Sequence, residues 1–272
     1  MQLPGRVVAF FLNKQKNFRY FCIMTDKNAR KTAIALIAAT GLLVICMAAW
    51  RALRVREPHA DIDRERYPVI GVDLSAHNGT VCFDSLADSG IDFVYLKASE
   101  GISFRDQAFV PNYEAARRAG LAVGAYHFFR FDCDGALQSV NFLKAIDSLK
   151  PDLPLPIDVE EWRNAPGETT AIIRERLGIL VALLRARGHK VIIYTNKQGH
   201  ARFVRNGFAA QDSPEVWICS FTNPPLGHER WRLWQHSHIG RVPGVRGHVD
   251  LNTFNGSRAE WKAWLDSCRP RQ

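Results

Sequence analysis

The stretch PLPIDVEEW, residues 154–162, decides how this chain is to be read. Leu155, Pro156 and Ile157 have the composition of a buried strand, yet the run breaks into acid at Asp158, Glu160 and Glu161. On a strand, residues i and i+2 point to the same side. Asp158 and Glu160 therefore face one space, and Glu161 faces the other. Two carboxylates aimed at one space repel each other, which raises the pKa of at least one. Such a pair is a poor way to stabilise a fold and a common way to build acid chemistry. Taken alone, the same three residues could equally be loop acids in water.

The pattern recurs on both sides. YPVIGVD (67–73) ends at Asp73, IDFVYLKASEG (91–101) at Lys97 and Glu100, and LAVGAYHFF (121–129) at Tyr126 and His127. KVIIYTN (190–196) ends at Tyr194, then come EVWICSF (215–221), RLWQHS (232–237) and GHVDLNTF (247–254), the last read as ending at Asp250. These are eight short apolar runs of the kind expected for strands. DQAFVPNYEAARRAG (106–120), GALQSVNFLKAIDSLK (135–150) and TTAIIRERLGILVALLRARG (169–188) carry apolar residues at helical spacing, two of them closed by Gly120 and Gly188. Strand alternating with helix predicts a parallel sheet. The later connections are short and rich in Pro and Gly. The fold class expected is α/β, an irregular eight-stranded β/α barrel, TIM-like with a helix-poor second half, behind one N-terminal transmembrane helix.

In a parallel barrel the C-terminal strand ends open on one face, and that face holds the site. Asp73, Glu100, Tyr126, Asp158, Glu160, Tyr194, Trp217, Trp234 and Asp250 then ring one cleft. Independent loop residues would have to repeat the same accident at strand after strand. Carboxylates among aromatic faces suit carbohydrate, and glycosidic cleavage needs an acid protonated near neutral pH plus a second acid for the oxocarbenium charge. His127, between Tyr126 and Phe128, is expected to be structural. Trp162, Trp231, Trp261 and Trp264 are expected to pack or lie on the surface, and Glu161 to lie outside the cleft. Glu100 divides evenly between pairing with Lys97 and touching sugar.

The 272 residues carry a net charge of +9, most of it in the N-terminal arm. Residues 1–31 hold seven Lys or Arg against one Asp, and residues 51–68 five Arg against four acids. A nucleic-acid partner would need its basic residues on the folded domain, so that class is set aside. Residues 32–50, TAIALIAATGLLVICMAAW, carry no charge over 19 positions, the length a helix needs to cross a bilayer. The charge asymmetry places the N-terminus in the cytoplasm and the remainder outside. A cleaved signal peptide is the rival reading, and the long basic leader favours an anchor. The expected organisation is a basic cytoplasmic arm (1–31), a transmembrane anchor or signal peptide (32–50), a charged tether (51–66) and a barrel (67–268). Of six cysteines, Cys82, Cys133, Cys219 and Cys268 fall in the barrel and could form disulfides in three pairings. No CxxC occurs, and His236 and His238 lack a third ligand, so neither a metal site nor a cofactor is expected.

The chain from about Tyr67 to Leu265 resembles glycoside hydrolase family 25, the Chalaropsis-type lysozymes or N-acetylmuramidases. The resemblance rests on seven motifs in order: GVDLS (71–75), KASEG (97–101), GAYHF (124–128), DVE (158–160), YTN (194–196), LWQ (233–235) and VDLN (249–252). It implies a β/α barrel that hydrolyses peptidoglycan strands at the β-1,4 bond between N-acetylmuramic acid and N-acetylglucosamine. By motif match Glu160 is the general acid, with Asp73, Asp158 and Asp250 as the other site acids. Glu100, Tyr126, Phe128, Tyr194, Trp217 and Trp234 are the candidate substrate-binding residues. Asp158, two residues from Glu160 on one strand, is badly placed for backside attack. The spacing therefore favours participation of the substrate 2-acetamido group over direct attack by Asp73 or Asp250. The expected partners are glycan strands and, through residues 32–50, a membrane; the domain is expected to be monomeric and on the extracytoplasmic side. The alternative function is a non-catalytic, membrane-tethered peptidoglycan-binding module or a wall-opening factor of an envelope assembly.

Overall fold

The computed structural model describes residues 27–52, 59–222 and 231–268. Contacts divide the chain into two units, residues 1–56 and 57–272. In the first unit the uncharged run lies within one helix, α1 (Lys27–Ala52). Its described aliphatic side chains, Ile34, Leu36, Ile37, Leu42, Leu43 and Ile45 among them, are exposed. The expectation of a membrane-crossing helix over 32–50 is not met here: among the described residues no helix is long and apolar enough to cross a membrane. The basic arm up to residue 26 and the tether residues 53–58 lie outside the described residues.

The second unit is a mixed α/β barrel. Its strands are β1 (Ile70–Leu74), β2 (Phe93–Glu100), β3 (Phe104–Arg105), β4 (Ala122–Phe128), β5 (Leu155–Asp158), β6 (Val191–Asn196), β7 (Glu215–Cys219), β8 (Trp231–Gly240) and β9 (Val249–Phe254). Eight of them close a ring in the order β1, β9, β8, β7, β6, β5, β4, β2, with β1 pairing back to β2; β3 is a short extra strand folded onto β2. Helices α2 (Phe83–Asp88), α3 (Phe109–Arg118), α4 (Gly135–Ile146) and α5 (Thr170–Ala186) fill the first crossovers. Between β6 and β7 a short helix, α6 (Lys197–Gly199), runs on as a π turn (His200–Val204). The start and stop signals act as expected. Asp134 and Thr169 accept from Leu137 N and Ile172 N to cap α4 and α5, and Gly120 and Gly188 take the left-handed backbone (φ +81 and +82) past α3 and α5.

One strand departs from the expected parallel ring. β9 is antiparallel to both β8 and β1. The connection 241–248 is too short for the crossover of about a dozen residues that a parallel strand needs. Asp250 is thus the second residue of β9 rather than a strand end. Reversal of the strand brings its start to the face where the other strands finish, and Asp250 pairs in register with Asp73.

Inside the barrel large aromatics fill the lower layers. Phe93, Tyr95, Ile192, Tyr194, Trp217, Leu233 and Phe254 form one buried cluster. Gly71 and Gly124 make room for it: a Cβ on Gly71 would lie 2.4 Å from the Phe93 ring, and one on Gly124 2.1 Å from the Tyr95 ring. A final helix, α7 (Arg258–Cys268), lays Trp261 and Trp264 against Phe93 and Phe254 and closes that end. The opposite end stays open. The chain segment before β1 is not wholly solvated: Ala60 is buried and donates its N–H to His236 O at 2.9 Å.

Candidate active site

The open end holds a cavity of about 260 Å³ lined by residues of β1, β2, β4, β5, β6, β7, β8 and β9. Asp73 projects inward from β1. Its Oδ2 accepts from Asn252 Nδ2 at 2.8 Å and from Gln235 Nε2 at 3.1 Å. Each donor is itself oriented, Asn252 by Trp217 Nε1 at 2.9 Å and Gln235 by the Tyr194 hydroxyl at 2.8 Å. Asp250 completes the group through a side-chain hydrogen bond to Asp73. Burial pushes both carboxyls up. Asp73 reaches about 6, held there against the hydrogen bonds it accepts. Asp250 reaches about 9, because burial is joined by the Asp73 charge and the bond to it. The pair holds one proton, seated on Asp250 and given to Asp73.

β5 and the residues just past its end supply the second pair. Strand alternation turns Asp158 and Glu160 into the same cavity, as the spacing predicts, and the two side chains hydrogen-bond directly. The backbone is tied on both sides: Val159 N donates to Tyr194 O at 2.9 Å, and Asn164 Nδ2 donates to Glu160 O at 2.7 Å. Asn164 also bonds Phe129 O and Phe131 N, so the loop after Glu160 is fixed to the end of β4. Burial, then the Glu160 charge, drives the Asp158 carboxyl well above the usual carboxylate range; Lys97 offsets this in part. Burial raises Glu160 as well, and the bond from Asp158 lowers it. Of the two, Asp158, the deeper member, is pushed up further. The other oxygen of Asp158, Oδ1, is buried with no protein partner. A site with two proton-sharing carboxyl pairs can deliver a proton at neutral pH and hold negative charge beside a developing cation.

The remaining sequence-selected residues divide. Tyr126, Phe128, Tyr194 and Trp217 line the cavity with the four acids. Trp234 does not: it is fully buried on the outer side of β8, its Nε1 bonded to Ser220 O at 2.7 Å. Leu233 and Gln235 are the inward residues, so alternation sends Trp234 outward. Glu100 also stays out of the lining. It pairs with Lys97 Nζ at 2.6 Å and approaches Arg130 at 3.7 Å. A bulge between Lys97 and Ser99 shifts the register, leaving Lys97 inside and turning Ser99 outward. Ser99 meets His127 Nδ1 at 2.8 Å, and His127 Nε2 meets Gln138 Oε1 at 3.1 Å. His127 is fully buried, and burial pulls its pKa down to about 4, a neutral structural histidine. Glu161 pairs with Arg202 outside the cavity.

Eight lining residues were not among the sequence candidates: Ser75, His77, Asn78, Lys97, Pro156, Trp162, Arg163 and Gln235. Gln235 sat inside a motif already quoted, as did Asn252 behind it. Trp162, expected to pack or lie free, is 66% exposed and stands at the cavity rim. Cys219 is no acid–base candidate, since burial lifts its thiol to about 12. Cys46, Cys82, Cys133, Cys219 and Cys268 are all free thiols, so none of the three disulfide pairings is formed. Among the described residues no group of three or more His, Cys, Asp or Glu is placed to hold a metal ion.

Comparison with known proteins fits this geometry. The family model described as glycosyl hydrolases family 25 matches residues 72–245. Lysozyme M1 of Streptomyces globisporus is 35% identical over 203 residues, covering 70% of this chain and 69% of that protein. Among solved structures, a family 25 glycosyl hydrolase from Bacillus anthracis superposes with a TM-score of 0.68 at 30% identity, covering 77% of this chain and 98% of that one. A bacterial lysozyme from Streptomyces coelicolor gives 0.64 at 32% identity, covering 74% and 98%.

Proposed function

The chain belongs to glycosyl hydrolases family 25, a lysozyme-type glycoside hydrolase that acts on peptidoglycan, and we propose that it cuts the β-1,4 bond between N-acetylmuramic acid and N-acetylglucosamine with Glu160 as general acid. One observation carries the reading: two hydrogen-bonded carboxyl pairs open onto a single cavity among aromatic side chains. In this reading the proton shared by Asp158 and Glu160 goes to the leaving oxygen through Glu160, the less buried of the two. Its departure takes the pair from one negative charge to two as the oxocarbenium charge develops, so the second stabilising charge appears only when the transition state needs it. The orphaned Oδ1 of Asp158 fits a role in holding the N–H of the substrate 2-acetamido group, which then attacks the anomeric carbon and retains its configuration. Asp73 and Asp250 stand by as a second reservoir of one proton and one charge.

Location and assembly belong to the same proposal. The catalytic barrel spans residues 67–268 and works as a monomer on the extracytoplasmic side, where peptidoglycan lies. Residues 32–50 are its membrane attachment, supported by 19 uncharged positions and by the excess of basic residues before them. Lysis of isolated cell walls by the purified chain, abolished in Glu160→Gln, tests the catalytic part. Full lysis by that variant would remove Glu160 from the role.

A further inference from the structure

We propose that Arg163, stacked on Trp162 at the cavity rim, binds a carboxylate carried on the muramic unit or its stem peptide, so that the enzyme selects acidic glycan over neutral glycan. This rests on the peptidoglycan reading and specifies which strands the site takes. Arg163 is the only non-glycine residue among those described with a left-handed backbone, at φ 63. An unbranched residue other than Asn or Asp there is uncommon and held by its surroundings. The restraint is visible: Arg130 Nη1 donates to Arg163 O at 2.5 Å, and Arg130 is itself anchored by Asp132 at 3.4 Å. On the far side Asn164 is pinned to β4.

This backbone puts the Arg163 side chain in the cavity lining, its Cζ 5.3 Å from the centre of the Trp162 ring. A guanidinium stacked on an aromatic face keeps its in-plane N–H edge free for bidentate contact with a carboxylate. No acid among the described residues takes that edge. Lys97, the other Lys or Arg of the lining, is bonded to Glu100. The floor carries four acids, which repel an anionic substituent, so a carboxylate on the substrate is accommodated only at the rim. A neutral polysaccharide has no use for an unpaired guanidinium there.

The test uses the full chain and two glycan preparations: intact peptidoglycan, and strands stripped of peptides by an amidase so that lactyl carboxylates are free. Each is compared with itself after its carboxylates are converted to methylamides. Wild-type kcat/KM should be about 10-fold or more higher on the charged form of at least one preparation, as expected for loss of a charge-assisted hydrogen bond. The preparation that shows the ratio identifies the source, lactyl or stem peptide. In Arg163→Asn, whose residue tolerates the left-handed backbone, the ratio should fall to about 1, and Arg163→Lys should restore part of it. An unchanged ratio in Arg163→Asn, or no charge preference in the wild type, overturns the proposal while leaving the peptidoglycan reading intact. Failure of the wild type to cleave any strand sinks both.

Discussion

Asp250→Asn should spare the protein the stability that the wild type loses as pH rises from 6 to 8. Asp73 and Asp250 hydrogen-bond to each other, and the pair keeps one proton to about pH 9. In the unfolded chain both carboxyls ionise near 3.8. Folding at neutral pH therefore takes up one proton. A raised carboxyl contributes stability that is fully present below the unfolded value and is lost progressively until the folded value is passed. The slope for one proton is about 1.4 kcal/mol per pH unit. An amide at position 250 donates to Asp73 with no proton uptake, so the variant escapes that loss. Between pH 6 and 8 the variant should gain about 3 kcal/mol on the wild type, two units at that slope. Urea unfolding followed by tryptophan fluorescence at pH 6, 7 and 8 reads the difference directly. A difference that stays constant with pH would refute the shared proton, and with it the electrostatic picture of this half of the site.

Glu160→Gln should lower lysis by about 100-fold or more while urea stability at pH 7 is held or improved, since the change removes a proton donor from an unfavourable pair; a near-wild-type rate would dismiss Glu160 as the acid. Asp158→Asn should reduce kcat more than substrate affinity and weaken binding of a thiazoline analogue of the participating acetamido group, and an α-anomer as the first product by NMR would exclude that route. A reporter that is active only in the cytoplasm, fused after Gln272, should stay silent; a strong signal would place the barrel inside the cell.

Much of the site is legible in the sequence because strand alternation is a rigid rule. Asp158, the last residue of β5, and Glu160 just beyond it keep that alternation and share a space, and Tyr194 and Trp217 follow it on β6 and β7. Asp250 was selected on the right face through the wrong geometry, since a strand read as parallel turns back on a short connection. Trp234 shows the opposite error: an aromatic beside a strand end is attractive, but its parity is outward. Glu100 lies opposite Phe128 in register but is taken up by Lys97 and Arg130, pairings that no pattern of apolar positions announces. Asn252 and Gln235 carry no charge and so drew no attention, although they set the position of Asp73. Trp162 and Arg163 lie on a loop, where periodicity is silent and the backbone sign of Arg163 is a tertiary effect. The eight ring strands were countable from apolar runs; β3, two residues long, was too short to count.

We propose that this barrel cuts the glycan strand on the muramic side. Purified peptidoglycan digested with the chain, reduced with borohydride and separated into muropeptides, tests it most directly. The new reducing ends should be N-acetylmuramic acid, recovered as its alditol, and should disappear with Glu160→Gln. New ends of N-acetylglucosamine, or release of peptides from uncut strands, would contradict it.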